Sequence, residues 1–401
     1  MIQEKQKISG TLNSKQSLNG TLSNSVIYVD PITQEKTVIP TTEQQIVTPD
    51  EEYTGLSKVT VEAIQDENLI SENIKNGVDI LGVTGNYVGS KYAPSFLTFN
   101  GFKGTDLSYE IANVDTSNLT SMAMMFYGCI NIQHLNLKGF VKSNVTSLSS
   151  MFGQATRLQS IDMSDWDTSN VTEIGAMFTN CKFLESVNMS KLKFGELTYI
   201  INLFSGCSRL TGDLVLPEMN ISKCTSLQNV FYNCKCSKII GIENWDTSNI
   251  TTIYQMFSSC GITELDISKW DLSKVTTMSQ TFGSCYYLIN LSEIDASNTK
   301  DVSYMFTSCR ELTNFGGLKN LGQGYLTTNS ANYSSYKLDL SASTKLTEQS
   351  IINVLNKLYD IKTKGCKTQQ VVLGSTNIAK LTSTEGQEAL TNAQAKGWTV
   401  S

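Results

Sequence analysis

Between Asp115 and Leu318 one phenylalanine recurs at a nearly fixed interval. The copies are Phe126, Phe152, Phe178, Phe204, Phe231, Phe257, Phe282 and Phe306, at spacings of 26, 26, 26, 27, 26, 25 and 24 residues. A period in this range is the mark of a solenoid, in which each unit is one supersecondary element stacked on the next. No unit of this length buries its own apolar stripe, so neighbours must share one core. That requirement outranks any local propensity.

Aligned on the phenylalanine, the copies agree elsewhere too. Three residues later comes Cys129, Cys181, Cys207, Cys234, Cys260, Cys285 or Cys309, with Ala155 as the one departure. Seven residues earlier stand Leu119, Val145, Val171, Leu197, Cys224, Ile250 and Val275, with Thr299 as the exception; four earlier stand Met122, Leu148, Ile174, Ile200, Leu227, Ile253, Met278 and Val302. These offsets fit the apolar stripe of a helix. Asp-Thr-Ser-Asn at 115–118, 167–170 and 246–249 supplies capping oxygens just before it. After the cysteine the period shortens, as in Leu158-x-x-Ile161-x-Met163, and the alternation suggests a short strand. One copy therefore reads as cap, two-turn helix, turn and strand. With strands ~4.8 Å apart, eight copies make a slab roughly 40 Å long.

The phrase W-D-T-S-N-V-T-x-x-x-x-M-F-x-x-C at Trp166–Cys181, and its near-copy at Trp245–Cys260, resembles the BspA-like class of bacterial leucine-rich repeats. The resemblance implies a solenoid that binds at its surface, and no particular ligand. The expected fold class is an α/β solenoid, a leucine-rich-repeat-like stack of about eight 26-residue repeats, with a β-rich N-terminal attachment segment and an α/β C-terminal cap. The W-D-T-S-N element is lost at 193–206 and 212–223, where irregular loops or a bend are expected.

Composition narrows the function. Charged residues make up 17% and the net charge is −6, with no basic stripe, so nucleic-acid binding is not expected. No apolar run approaches ~18 residues, so membrane insertion is not expected either. The first residues carry no apolar signal core and the last carry no anchor, so the chain is read as made in a host cytoplasm without a signal peptide. Seven of the ten cysteines share one repeat position, and such usage suits small core thiols in a reducing compartment better than disulfides. Cys234-x-Cys236 has no histidine near it, and neither metal nor cofactor is expected.

Residues 1–90 read differently. They hold a G-T-L repeat at Gly10–Leu12 and Gly20–Leu22, and strands at Ser25–Asp30, Lys36–Pro40 and Val59–Ala63. A short helix closed by Gly77 and a further strand follow. The G-T-L repeat, P-D-x-x-Y-x-G-L-x-x-V-x-V at Pro49–Val61 and E-N-I-K-x-G-V-x-I-L-G-V-x-G at Glu72–Gly85 resemble the N-terminal parts of tail and baseplate proteins from phages of Gram-positive hosts. That resemblance implies attachment to other virion proteins through residues 1–90, commonly as a homo-oligomer. Residues 91–111 read as linker and N-terminal cap, with Tyr92, Phe96, Phe99 and Phe102 covering the first core face. Residues 112–320 are the solenoid and 321–401 the C-terminal cap, with helices over Thr347–Tyr359 and Thr384–Lys396 and strands at Leu338–Leu340 and Val371–Gly374.

Catalytic raw material is scarce. The one histidine, His134, sits at a surface-type strand position, so Ser–His and Cys–His systems have almost nothing to build on. There is no P-loop and no G-x-G-x-x-G. The recurring Asp115, Asp167, Asp246, Asp271 and Asp295 are explained by turns in which the carboxylate bonds the backbone two residues on. Between the buried L-x-L positions lie Asn136, Asp162, Asn188 and Asp266, which would form a polar column able to hydrogen-bond sugar hydroxyls or a polar polymer. Five tyrosines that could stack on sugars, Tyr127, Tyr232, Tyr254, Tyr286 and Tyr287, fall around the expected helical segment instead. The expected function is a non-enzymatic virion protein of tail-fibre or baseplate type that binds a bacterial surface polysaccharide or protein through the solenoid. The alternatives are a capsid or tail decoration fibre, a bacterial cell-surface adhesin and, less favoured, a polysaccharide depolymerase.

Overall fold

The computed structural model describes residues 98–108, 111, 114, 116–325 and 337–401, together with the backbone of six short strands nearer the N-terminus. Among those strands, Lys7–Ile8 pairs in parallel with Tyr28–Val29 and Glu35–Val38 in parallel with Lys58–Val61. Asp79–Ile80 pairs antiparallel with Val83–Thr84. The helix expected before Gly77, Tyr92, Phe96, Asp115 and most of the polar stretch 322–336 lie outside the described residues.

From Thr116 onward the chain runs in coils, each hydrogen-bonded to the next. At the first interface Met122, Met124, Phe126 and Gly128 donate their N–H groups to the carbonyls of Ser147, Ser149, Met151 and Gly153 at 2.8–2.9 Å. The same four positions pair at the next two interfaces and at the last three. Parallel bridges between Ser121, Ser147, Glu173 and Tyr199, and between Ser226, Thr252, Thr277 and Asp301, mark the same register.

This ladder corrects the two-turn helix expected in every copy. A helix keeps all its N–H groups inside, whereas here alternate ones leave the coil. Within a coil the remaining bonds close tight turns, Met125 N–H to Met122 O at 3.3 Å and Cys129 N–H to Phe126 O at 3.2 Å. The third residue of each turn is left-handed, with φ of 57° at Met124 and 67° at Gly128. Positive φ at that position is what type II turns require. The pattern recurs down to Tyr304 and Ser308, at φ of 56° and 62°. Left-handed geometry costs a residue with a Cβ roughly 1–2 kcal/mol. In the first seven coils each of these residues donates its N–H to the following coil, which offsets that cost. The apolar spacing that imitates a helix comes from two consecutive four-residue turns facing one core. The Asp-Thr-Ser-Asn segments accordingly cap turns, not helices.

The eight phenylalanines are fully buried and stack face to face. Ring centroids lie 5.2–5.7 Å apart at six of the seven steps, at interplanar angles of 2–15°. Offset stacking of this kind contributes about 0.5–1.5 kcal/mol per pair beyond area burial. The cysteine column is buried beside it. Cys181, Cys207, Cys285 and Cys309 each donate S–H to the phenylalanine carbonyl of the coil before, at 2.9–3.2 Å. Cys234 and Cys260 depart from that rule and face Cys236 instead, at sulfur separations of 3.6 and 3.9 Å.

From the second coil onward each coil supplies a short strand of two or three residues, and the first contributes a single bridge at His134. Ser160–Asp162 pairs with Ser186–Asn188, Asp213–Val215 with Lys238–Ile240, and Glu264–Leu265 with Asn290–Leu291 and then Asn314–Phe315, all in parallel. The stretch 193–206, expected to be irregular, stays in the ladder: Thr198 N–H reaches Thr172 O and Phe178 N–H reaches Leu203 O. The break falls at 212–223.

Both ends of the stack are covered. Phe99 stacks on Phe126 at 5.5 Å, and the N–H groups of Phe99 and Gly101 pair with the carbonyls of Met125 and Tyr127. At the other end the helix Glu348–Asn356, capped by Thr347, brings Ser350 against the last coil. The Ser350 hydroxyl donates to Thr313 O and accepts from Phe315 N–H. A parallel sheet of Leu338–Asp339, Gln369–Val372 and Trp398–Val400 and a second helix, Thr384–Ala395, complete this end.

Candidate functional site

The strand side of the stack carries two outward columns, set by the alternation of the strands. One runs through Asn136, Asp162 and Asn188, which are exposed as expected. The structure joins two of them directly: Asn188 Nδ2 donates to Asp162 Oδ1 at 2.9 Å. Each is also a turn residue. The side-chain oxygens of Asn136, Asp162 and Asn188 accept the N–H groups of Lys138, Ser164 and Ser190, at 3.3, 2.9 and 3.4 Å. The Ser164 backbone N–H, then its hydroxyl, hold the Asp162 carboxyl below the usual range. Asp266 stands apart from these three in a later coil, where it accepts Ser268 N–H at 3.0 Å.

The second outward column was not singled out from the sequence. Its members in the later coils are Lys238, Glu264, Asn290 and Asn314, and they line a groove of about 470 Å³. Its floor is Ile239, Leu265 and Leu291; Glu243, Asp266 and Ser292 flank it. Lys238 and Glu264 form an exposed ion pair at 3.8 Å. Asn314 Nδ2 donates to Asn290 Oδ1 at 2.7 Å. The signal was present: these residues sit just before the first buried strand position at spacings of 26, 26 and 24. None of the five tyrosines lines the groove, and Tyr286 and Tyr287 are exposed elsewhere on the coil.

His134 is exposed and bridges to Ser160 through its backbone. The recurring aspartates are turn residues: Asp167, Asp246, Asp271 and Asp295 accept the N–H of the serine two residues on, at 2.8–3.2 Å. The Asn-x-Thr triplets are ladder residues. Asn144, Asn170 and Asn249 donate their amides to serine carbonyls of the preceding coil at 2.6–2.8 Å, and Thr146, Thr172 and Thr251 add hydroxyl bonds to threonine carbonyls. Burial pushes the thiols of Cys129 up to about 11 and of Cys224 and Cys309 up to about 12, which suits packing, while hydrogen bonds from Cys236 and from backbone N–H groups draw Cys260 the other way. Among the described residues no His, Cys, Asp and Glu cluster is placed to hold a metal ion, and no helix is long and apolar enough to cross a membrane.

No curated protein matches this chain. One family model, described as "Mycoplasma protein of unknown function, DUF285", matches twice, over residues 97–215 and 198–320. The match is consistent with the BspA-like repeats read from the sequence. Together the two segments span more than half of the 401 residues, and the chain belongs to that family.

Proposed function

We propose that this chain is a non-enzymatic structural protein of a phage virion, of tail-fibre or baseplate type. In this reading residues 1–90 attach it to other virion proteins. The coiled region, a leucine-rich-repeat-like solenoid, projects outward and binds the surface of the host cell. The observation that carries the binding half is the unbroken phenylalanine column from Phe99 to Phe306 under a backbone ladder. It makes a stiff support that holds outward side chains at fixed intervals, which is what recognition of an extended surface needs. The attachment half rests on the three phrases in residues 10–85.

Two experiments test the halves separately. Fluorescent full-length protein is expected to bind host cells saturably and to lose that binding when surface polysaccharide is stripped. No binding at micromolar protein shifts the assignment to a capsid or tail decoration fibre. A chain lacking residues 1–90 is expected to stay out of assembled particles; its incorporation would refute the attachment role.

A further inference from the structure

We infer that the groove of Lys238, Glu264, Asn290 and Asn314 binds an uncharged glycan lying along the stack, and that it excludes anionic polymers. The inference rests on the proposed function above and deepens it. In the groove, outward residues of four successive coils line a concavity with an apolar floor. Its charge balance sets the ligand class. Three carboxylates, Glu243, Glu264 and Asp266, face one ammonium, Lys238, which is already engaged by Glu264. Glu243 spends one oxygen on Gly241 N–H and keeps the other for a ligand, whereas the Asp266 carboxylate is held by Ser268 N–H and by the Ser268 and Ser292 hydroxyls. The amide pair leaves one acceptor, Asn314 Oδ1, and Asn290 Nδ2 as a donor. Acceptors therefore dominate, and they suit a ligand rich in hydroxyl donors. A phosphate- or uronate-bearing chain would meet like charge and unpaired acceptors. Successive coils repeat the outward residues at ~4.8 Å, close to the advance of one hexose in an extended glycan. A row of sugars can thus meet one coil each.

Calorimetry of the full-length chain against defined hexasaccharides reads this directly. The neutral probes are cellohexaose, maltohexaose and chitohexaose; the anionic probe is hexagalacturonate. At least one neutral probe is expected to bind and hexagalacturonate is not. N290A/N314A is expected to weaken binding at least ten-fold, while E385A/E388A, on the exposed face of the helix Thr384–Ala395, leaves it unchanged. Both variants change exposed side chains only, and their unfolding midpoints verify that they fold. The same proteins are then applied to whole host cells. Equal binding of sugar or cells by N290A/N314A, or a preference for hexagalacturonate, overturns the groove assignment. So does binding to cells by a wild-type chain that takes none of the neutral probes; in that case the surface-binding function survives and the groove does not. Failure on both cells and sugars overturns the two together.

Discussion

The regular interfaces of the stack and the junction between its fourth and fifth coils share one backbone plan and differ in almost everything added to it. At a regular interface four ladder bonds form, a threonine N–H (Lys300 N–H at the last) reaches the threonine carbonyl before it, and the rings sit 5.2–5.7 Å apart. At the junction three of the four ladder bonds remain, and Phe204 and Phe231 are 6.2 Å apart. Trp166 and Trp270 donate their indole N–H groups to Leu137 O and Ile242 O of the coil before, both at 2.9 Å. Trp245, the first tryptophan after the junction, has a buried indole nitrogen with no partner. The cause is covalent: the spacing there is 27 residues, and the segment before it carries Pro217 where the W-D-T-S-N element is missing. The two family matches overlap at 198–215, the stretch leading into this junction. A main-chain ladder absorbs one extra residue because any residue supplies an N–H and a C=O. A bond that needs one side chain at one height does not.

The strongest test of that contrast is in the rings. Phe178 stacks on both neighbours, at 5.5 and 5.2 Å, whereas Phe231 has the wide gap on one side. Phe178→Ala is expected to cost about 3–5 kcal/mol in urea unfolding, the usual range for a buried phenylalanine. Phe231→Ala is expected to cost measurably less. Equal losses would mean that the junction is packed as tightly as the rest.

The indoles come next. Trp270→Phe removes a hydrogen bond and is expected to lower stability by about 1 kcal/mol. Trp245→Phe removes an unpaired donor whose burial costs roughly 1–3 kcal/mol, so the loss of packing is offset and the change is expected near zero. A Trp245→Phe loss as large as that of Trp270→Phe would show that the Trp245 indole is in fact bonded. Thiol labelling then locates the weakest interface. In native buffer only the half-buried Cys366 is expected to react. At urea concentrations below the main transition Cys207 and Cys224, which flank the junction, should label before Cys181 and Cys285. Simultaneous labelling would make the stack a single cooperative unit.

The same division explains what the sequence disclosed. The period was legible because every coil presents Phe to a shared core and, with Ala155 and Thr299 as the exceptions, adds Cys and two further apolar residues. The turn residues Asp167, Asp246 and Asp271 were legible because a short carboxylate followed by Ser has few other uses. The backbone between Met122 and Cys129 was misread as helix, because i, i+3 and i+7 spacing also fits two successive four-residue turns. Apolar pattern alone does not separate them. The left-handed positions would have done so: Gly128, Asn180, Gly206 and Asn233 hold residues that tolerate positive φ, although Gln154, Ser259, Ser284 and Ser308 blur the signal. The groove was missed for a different reason. Lys238, Glu264 and the pair Asn290 and Asn314 have no side-chain chemistry in common, so the register of the strands is what brings them together.

The smallest expected effect concerns acid. Asp167, Asp246 and Asp271 are held below the usual carboxyl value of 3.8, chiefly by the hydroxyl and then the N–H of the serine two residues on. A depressed folded value means that the charged form is favoured by folding. The contribution is therefore present above the ordinary value and fades as pH falls below about 3.8 through the folded one. All three carboxyls are almost fully solvated, so each effect is small and screened by salt. At the junction the same turn is made by Asn220, whose side-chain oxygen accepts Ser222 N–H at 3.1 Å and has no charge to lose. Acid is thus expected to loosen the regular coils and leave the junction turn indifferent. Asn220→Asp should be close to neutral at pH 7 and should add one more acid-sensitive turn, seen as a slightly steeper fall of the unfolding midpoint below about pH 4. An unchanged slope would mean that the turns contribute geometry without electrostatic stability, and that the acid response of the stack arises elsewhere.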